Sequence, residues 1–341
     1  MQSPDLDENL LPGSELSPQG LFANLSVGKL IFHLRPERSI SPYFYFGSTW
    51  RGVLGWEMKK LICPFSKPQC STCCIQSNCP YFGLFEHQVS LPGIQDAPRG
   101  YVLYPSLDDA HGDVRLSVTL IGHCTAYLPV VIESISRAAR RGVGREGLRF
   151  TLLDIQAEKP LPGDTTATAT NGSRPEGVWS LSQWLDNAQD PEGPVRIYLP
   201  TPLRLRRQGR YLDRLEWPFF FQSLARRLEG LDCIFGQGRP MGSAAWKELA
   251  DHFVRLSPPT VTQDRPGNSD SRTDWLKWKD LKRYSNRQKK KVPLGGLVGR
   301  VMIPELDPWL YSWLKAAELI HVGKNASMGL GRLEVEGVAH A

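Results

Sequence analysis

The stretch IHVGKNASMGLGRLEV, residues 320–335, decides how this chain is read. Gly323, Gly329 and Gly331 bracket a short polar segment holding Lys324, Asn325 and Ser327. Glycine has no Cβ, so its backbone reaches positive φ and lets another group come close to the main chain. Lys324 adds a point charge, and Asn325 and Ser327 add hydrogen-bond donors. A phosphate-bearing chain suits such a loop. A plain glycine-rich turn between helix and strand explains the same residues. The spacing is neither the G-x-G-x-x-G of a dinucleotide fold nor the G-x-x-x-x-G-K-[ST] of an NTPase. Leu330–Val335 alternates and ends in branched and acidic residues, which predicts a strand.

Upstream the charge gathers. Residues 277–291, KWKDLKRYSNRQKKK, carry eight Lys and Arg against Asp280 alone. Trp275, Trp278 and Tyr284 interleave with them. Cations hold phosphates and aromatic faces stack on bases, so this composition suits single-stranded or hairpin RNA. A solvated charged surface is the plainer alternative.

The order of these pieces resembles the CRISPR-associated repeat-processing endoribonucleases of the RAMP superfamily. Arg283-Tyr284-Ser285-Asn286-Arg287-Gln288 matches a basic R-Y-S-x-R-Q segment, Gly295–Gly299 a G-G-x-x-G strand, and His321–Gly331 a terminal H-V-G-K-x-A-x-x-G-L-G loop. The resemblance spans about residues 195–336 and, more loosely, 28–155. It implies a cytoplasmic protein acting on CRISPR repeat RNA, or crRNA, by metal-independent cleavage. A 2′-hydroxyl attacks the adjacent phosphorus and leaves 2′,3′-cyclic phosphate and 5′-hydroxyl ends. It also implies RNA contacts from Arg283, Tyr284, Arg287, Gln288, Lys289, Lys290, Lys291, Gly323, Lys324, Ser327, Gly329 and Gly331. A non-catalytic RNA-binding RAMP subunit of a CRISPR effector complex, with other effector subunits as partners, is the alternative.

Such cleavage needs an acid and a base, and histidine titrates near neutral pH. Relatives place a catalytic histidine on the first helix of the first module. Here that helix, residues 47–62, holds none, and Trp50 takes the place. His33, His87 and His321 are the remaining candidates. His33 falls on the polar side of a strand, His87 follows the cysteine loop, and His321 opens the glycine loop, where it would face whatever the loop holds. A buried, hydrogen-bonded structural role is the other reading of each.

The bulk of the chain sets the frame. At 341 residues it is long enough for about two domains, and 41% hydrophobic residues supply ordinary cores. A net charge of +6 is modest, so the location of charge matters more than its sum. No apolar run reaches bilayer-spanning length, and the acidic N-terminus lacks a signal pattern, so no membrane partner is expected. Seven cysteines, five of them within Cys63–Cys79, point to metal rather than disulfides in a reducing compartment. Cys63, Cys70, Cys73 and Cys79 could close a tetrahedral, structural zinc site, with Cys74 spare; an iron–sulfur cluster or free thiols in a loop are the alternatives. No cofactor is expected for the chemistry.

Periodicity places β-α-β-β-α-β once, in the first half, and the resemblance implies the same module twice: an α+β chain of two tandem ferredoxin-like (RRM-like) domains. The expected divisions are a disordered tail at 1–22, a first domain at 23–156 with a Cys-rich insertion at 63–79, a linker at 157–193 and a second domain at 194–341.

Overall fold

The computed structural model describes residues 15–40, 47–65, 69–87, 97–108, 112–160, 166–167, 177–186, 191, 193–259, 275–285 and 289–338. Its first half comprises α1 (Pro18–Leu21), β1 (Ser26–Pro36), α2 (Gly47–Ile62), β2 (Tyr101–Leu107), β3 (Val114–Ile121), α3 (Leu128–Arg141), β4 (Phe150–Ala157), β5 (Thr166–Ala167), β6 (Val178–Ser180) and α4 (Leu181–Leu185). The second half comprises β7 (Val195–Leu203), β8 (Arg206–Arg207), β9 (Arg210–Tyr211), α5 (Trp217–Phe235), α6 (Ser243–Leu256), β10 (Trp275–Lys279), β11 (Lys282–Ser285), β12 (Lys290–Pro293), β13 (Gly296–Ile303), α7 (Pro308–Ile320) and β14 (Glu334–Gly337).

The first sheet runs β2-β3-β1-β4-β5, and the second runs β10-β13-β7-β14. All neighbours are antiparallel. In both halves the first strand lies between the third and the fourth. The alternation of β1 explains its placement: Leu30, Phe32 and Leu34 are buried together with Trp50, Leu54 and Met58 of α2 and Val131 and Ile135 of α3. Pro129 opens α3 and Gly142, at φ 113°, closes it.

Three sequence expectations change. Residues 15–22 are part of the fold rather than a tail. Ser17 caps α1, Leu16 is fully buried, and Phe22 packs edge-on to Trp313 with centroids 6.4 Å apart. The polar sequence around these two apolar residues hid them. The expected tail's residues 1–14 lie outside the described residues. Part of the expected linker is likewise structure: β6 pairs with the start of β1, Ser180 and Gln183 form a capping box, and Trp184 Nε1 donates to the Val27 carbonyl at 3.2 Å. The last strand begins at Glu334, because Leu330–Leu333 is spent on turning the chain. Helix α6, which periodicity had not marked, buries Trp246, Leu249 and Phe253 at helical spacing.

The halves meet across the strands rather than through a tether. Lys29 of β1 is buried beside Glu158 at 2.6 Å, with Arg332 and Glu318 of the second half near it. Burial lowers its pKa, and Glu158 opposes that shift. Among the described residues, no helix is long and apolar enough to cross a membrane.

Candidate functional site

The glycine loop is the joint of the molecule. Gly323, Gly329 and Gly331 all have positive φ, at 83°, 86° and 64°. Their missing side chains admit protein backbone. A Cβ would stand 2.6 Å from the Arg204 carbonyl at Gly323, 2.6 Å from the Leu103 carbonyl at Gly329 and 1.8 Å from the Val322 carbonyl at Gly331. The three glycines therefore let the loop pack on β7, on β2 and on itself. The expectation that they clear room for a ligand is corrected: the surface offered outward consists of the half-buried Gly323, Lys324, Asn325 and Ser327. Backbone bonds lace the loop to the end of β7: Lys324 N donates to the Arg204 carbonyl at 2.9 Å, and Gly331 N to that of Pro202 at 3.0 Å.

One side of this surface is β2 and α2. Tyr101 is buried, and its hydroxyl accepts from Arg51 Nε at 2.9 Å and hydrogen-bonds Ser327. Burial raises the phenol's pKa, so it stays a neutral hydroxyl. Arg51 also lies over the Phe85 ring, 5.7 Å from its centroid. The first half thus presents a held guanidinium to the loop of the second. Arg51 carries no sequence signal of its own; it is one cation in an amphipathic helix. Trp50, its neighbour, is buried against Phe150.

The other side is basic. Arg204, 4% exposed, donates to the Pro293 carbonyl at 2.8 Å and to Asn325 Oδ1 at 3.3 Å, and covers the Tyr211 ring at 4.4 Å. This one guanidinium ties the loop to two hairpins, β8–β9 and β11–β12. They expose Arg206, Arg207 and Arg210 on one and Lys282, Lys290 and Lys291 on the other, with Lys289 at the second turn. Arg283 is half-buried within β11. Tyr284 pairs through its backbone with Lys291, while Arg287 and Gln288 lie outside the described residues. Trp278 of β10 is exposed beside them, its Nε1 3.1 Å from Asp280.

The three histidines do not converge. His321 is at the joint but turned inward: it is 2% exposed, donates from Nδ1 to the Leu330 carbonyl at 3.2 Å and meets Tyr104 edge-on. Burial, with Arg332 and Arg227 adding to it, holds its pKa well below the ordinary range. The expectation that it faces the loop's occupant is corrected. His87 is buried against Phe235, and Arg99 donates to both its Nδ1, at 3.2 Å, and its carbonyl, at 3.0 Å. Burial and Arg99 push its pKa down to about 4. Its basic lone pair is therefore engaged and its ring neutral. His33 is half-buried in the first sheet, between Arg115 and Asp154 on the neighbouring strands.

The cysteine segment folds as short turns, Cys70–Thr72, Gln76–Asn78 and Phe82–Glu86, that touch one another. Its thiols are free; Cys70 Sγ accepts from Lys59 Nζ at 3.6 Å, and Cys63 Sγ donates to the Phe65 carbonyl at 3.9 Å. Among the described residues, no three His, Cys, Asp or Glu side chains gather as metal ligands. Cys63, Cys70, Cys73 and Cys79 have the donor chemistry zinc prefers, but they are not arranged as its shell.

The fold and this seam define a class: a two-sheet α/β protein whose glycine-rich joint is flanked by basic hairpins. Known proteins place it further. Residues 197–333 match the family model described as CRISPR-associated endoribonuclease Cas6, and residues 25–176 match a family, AF_1859_N, described as an N-terminal domain. Over residues 197–333 the chain is thus similar to the Cas6 family, the CRISPR repeat-processing proteins that the sequence resembles. The fold is that of a Cas6 product complex, with TM-score 0.52 at 13% identity, covering 90% of this chain and 98% of that one. Thermus thermophilus Cas6 matches with TM-score 0.50 at 13% identity, covering 92% and 99%. An uncharacterized protein of Archaeoglobus fulgidus is 21% identical over 306 residues, 87% of this chain and 92% of its own length.

Proposed function

We propose that this chain cleaves CRISPR repeat RNA at the seam between its halves, by metal-independent transesterification. Each half is read as a ferredoxin-like module, and the RNA lies across the joint with its backbone on the two basic hairpins. One observation carries the reading. Arg204 fastens the glycine loop to both hairpins, so the loop's outward residues and the densest cations form one surface. The product complex of a Cas6 of similar fold supports RNA as the partner.

In this reading the 2′-hydroxyl attacks the adjacent phosphorus while the 5′ oxygen leaves. Charge grows on the non-bridging oxygens as it does so. Arg51, its Nε held by Tyr101, offers its terminal nitrogens to those oxygens; Lys324 adds a second cation and Ser327 a hydroxyl. Preorganised donors aimed at developing charge are worth about a hundredfold to a thousandfold each in rate. Repeat RNA incubated with the protein in EDTA should yield cyclic-phosphate ends. RNA with a 2′-deoxy sugar at the scissile position should bind and survive. The absence of both cleavage and binding would overturn the proposal.

A specific observation favours the second reading, a non-catalytic RNA-binding subunit. His87 and His321 are buried and neutral, and neither offers a free basic nitrogen to the seam. Tight binding of repeat RNA with no cleaved product would select it. Structural zinc on Cys63, Cys70, Cys73 and Cys79 is proposed on donor chemistry alone; the turns must draw together to hold it, and no step of the cleavage passes through it.

A further inference from the structure

The cation surface on the first half is separate from the hairpins. Trp56 of α2 is 53% exposed, more than Trp278, the other strongly exposed tryptophan among the described residues. A single exposed apolar side chain is ordinary; this one is set apart by the cations gathered against it. Lys60 Nζ lies 3.6 Å from its ring centroid and Arg141 Cζ 5.6 Å. Arg141 is anchored by Glu57, 1% exposed, at 3.2 Å, so its position is fixed from below. Arg140 and Arg145 are exposed alongside. Nearby carboxylates are engaged: Glu57 by Arg141, Glu133 by Arg137 and Glu146 by Arg38. What remains outward is a half-exposed indole with Lys60 lying over its ring and Arg141 near it.

We propose that this patch binds single-stranded RNA flanking the part held at the seam, with one base taking the place of Lys60 on the Trp56 ring and adjacent phosphates on Lys60 and Arg141. The inference rests on the RNA-processing reading above. Its geometry follows from α2: Arg51 faces the seam, and Trp56 lies five residues further on, about 7.5 Å along the helix axis. Five residues also turn the helix by about 140°, so a strand leaving Arg51 passes round α2 to meet Trp56. Stacking on an aromatic ring tolerates any base, so the patch adds affinity for flanking RNA without adding sequence preference.

The test is fluorescence polarisation with the repeat alone and with the repeat carrying a single-stranded extension at its 5′ or its 3′ end. Wild type should bind one extended RNA more tightly than the repeat. Trp56→Ala should lose that gain, roughly tenfold, and bind the repeat as wild type does; Trp56→Phe should keep most of it. Lys60→Ala should flatten the salt dependence of the gain. Equal affinity of wild type for all three RNAs, or an equal loss by Trp56→Ala on all of them, would overturn the inference while leaving seam binding intact. Failure of wild type to bind any of them would remove the functional reading itself, and this inference with it.

Discussion

Arg204 and Asn325, 121 residues apart in sequence, meet through a 3.3 Å hydrogen bond that joins the end of β7 to the glycine loop. The same guanidinium reaches the Pro293 carbonyl and the Tyr211 ring. Arg204→Ala leaves that carbonyl and that amide oxygen in a half-buried seam, at a cost of roughly 1–3 kcal/mol for each group left unpaired. Arg204→Lys keeps the charge but not the fork. Both variants should melt earlier by calorimetry and lose RNA affinity together, with alanine the worse. Alanine binding RNA as wild type does would show that the hairpins are positioned without this knot.

Gly331 and Gly52 should respond oppositely to alanine. At Gly331, φ is 64° and a Cβ would lie 1.8 Å from the Val322 carbonyl, so the turn must open. A position that is both strained and blocked by backbone costs more than the roughly 0.5–1 kcal/mol at stake for a freely helical glycine. Gly52 is exposed within α2 with nothing near its would-be Cβ. Gly52→Ala should therefore raise Tm slightly, while Gly331→Ala should lower it by several degrees and weaken RNA binding.

The first strand was legible from residues because Leu30, Phe32 and Leu34 recur at period two, and all three are buried. The order of the loop motifs was legible too. What was not legible is what the glycines face. Three positive-φ positions serve a ligand or a neighbouring backbone equally well in sequence, and only the Leu103, Val322 and Arg204 carbonyls decide it. Arg51 escaped notice because its role comes from Tyr101 and Ser327, which lie 50 and 276 residues away. His321 sat in the right motif, yet its orientation depends on Leu330 and Tyr104 closing over it.

His87 gives a pH dependence with a definite sign. Its folded pKa lies at about 4, below the ordinary value of 6.5, because burial disfavours the charged ring. The unfolded chain takes up a proton on descending through the ordinary value, and the folded chain does not until about pH 4. The stability tied to this group is complete above about pH 6.5 and is lost as pH falls towards 4. His87→Gln should shrink the drop in Tm between pH 7.5 and pH 5. At neutral pH it should cleave RNA at the wild-type rate when saturated, since Arg99 already occupies the Nδ1 lone pair. A large loss of rate without loss of stability would return His87 to the list of catalytic groups.

Metal removal separates structure from chemistry. If Cys63, Cys70, Cys73 and Cys79 close around zinc, the purified protein should hold one equivalent, released by a chelator and absent from Cys70→Ser/Cys79→Ser. Four thiolates leave no open position for substrate. Chelation should therefore lower Tm and leave the rate of cleavage unchanged in protein that stays folded. No bound zinc in wild type would leave the thiols as free residues of the turns, as their contacts with Lys59 and Phe65 describe them.

Arg51 is the sharpest test of the seam. Its Nε is committed to Tyr101 at 2.9 Å, which fixes the plane of the guanidinium and leaves its terminal nitrogens for a phosphate. A donor that acts mainly on charge developing in the transition state changes rate more than affinity. Arg51→Ala should slow single-turnover cleavage by about a hundredfold or more while binding weakens only severalfold. Arg51→Lys should recover part of the rate, because a point charge remains but the fork held by Tyr101 does not. Tyr101→Phe isolates positioning: it removes the hydroxyl that holds Arg51 and Ser327 without removing either group. Its rate should fall between those of wild type and Arg51→Ala, with unchanged RNA affinity. A rate untouched by all three substitutions would move the cleavage site away from this seam, and loss of affinity in step with rate would make Arg51 a binding residue only.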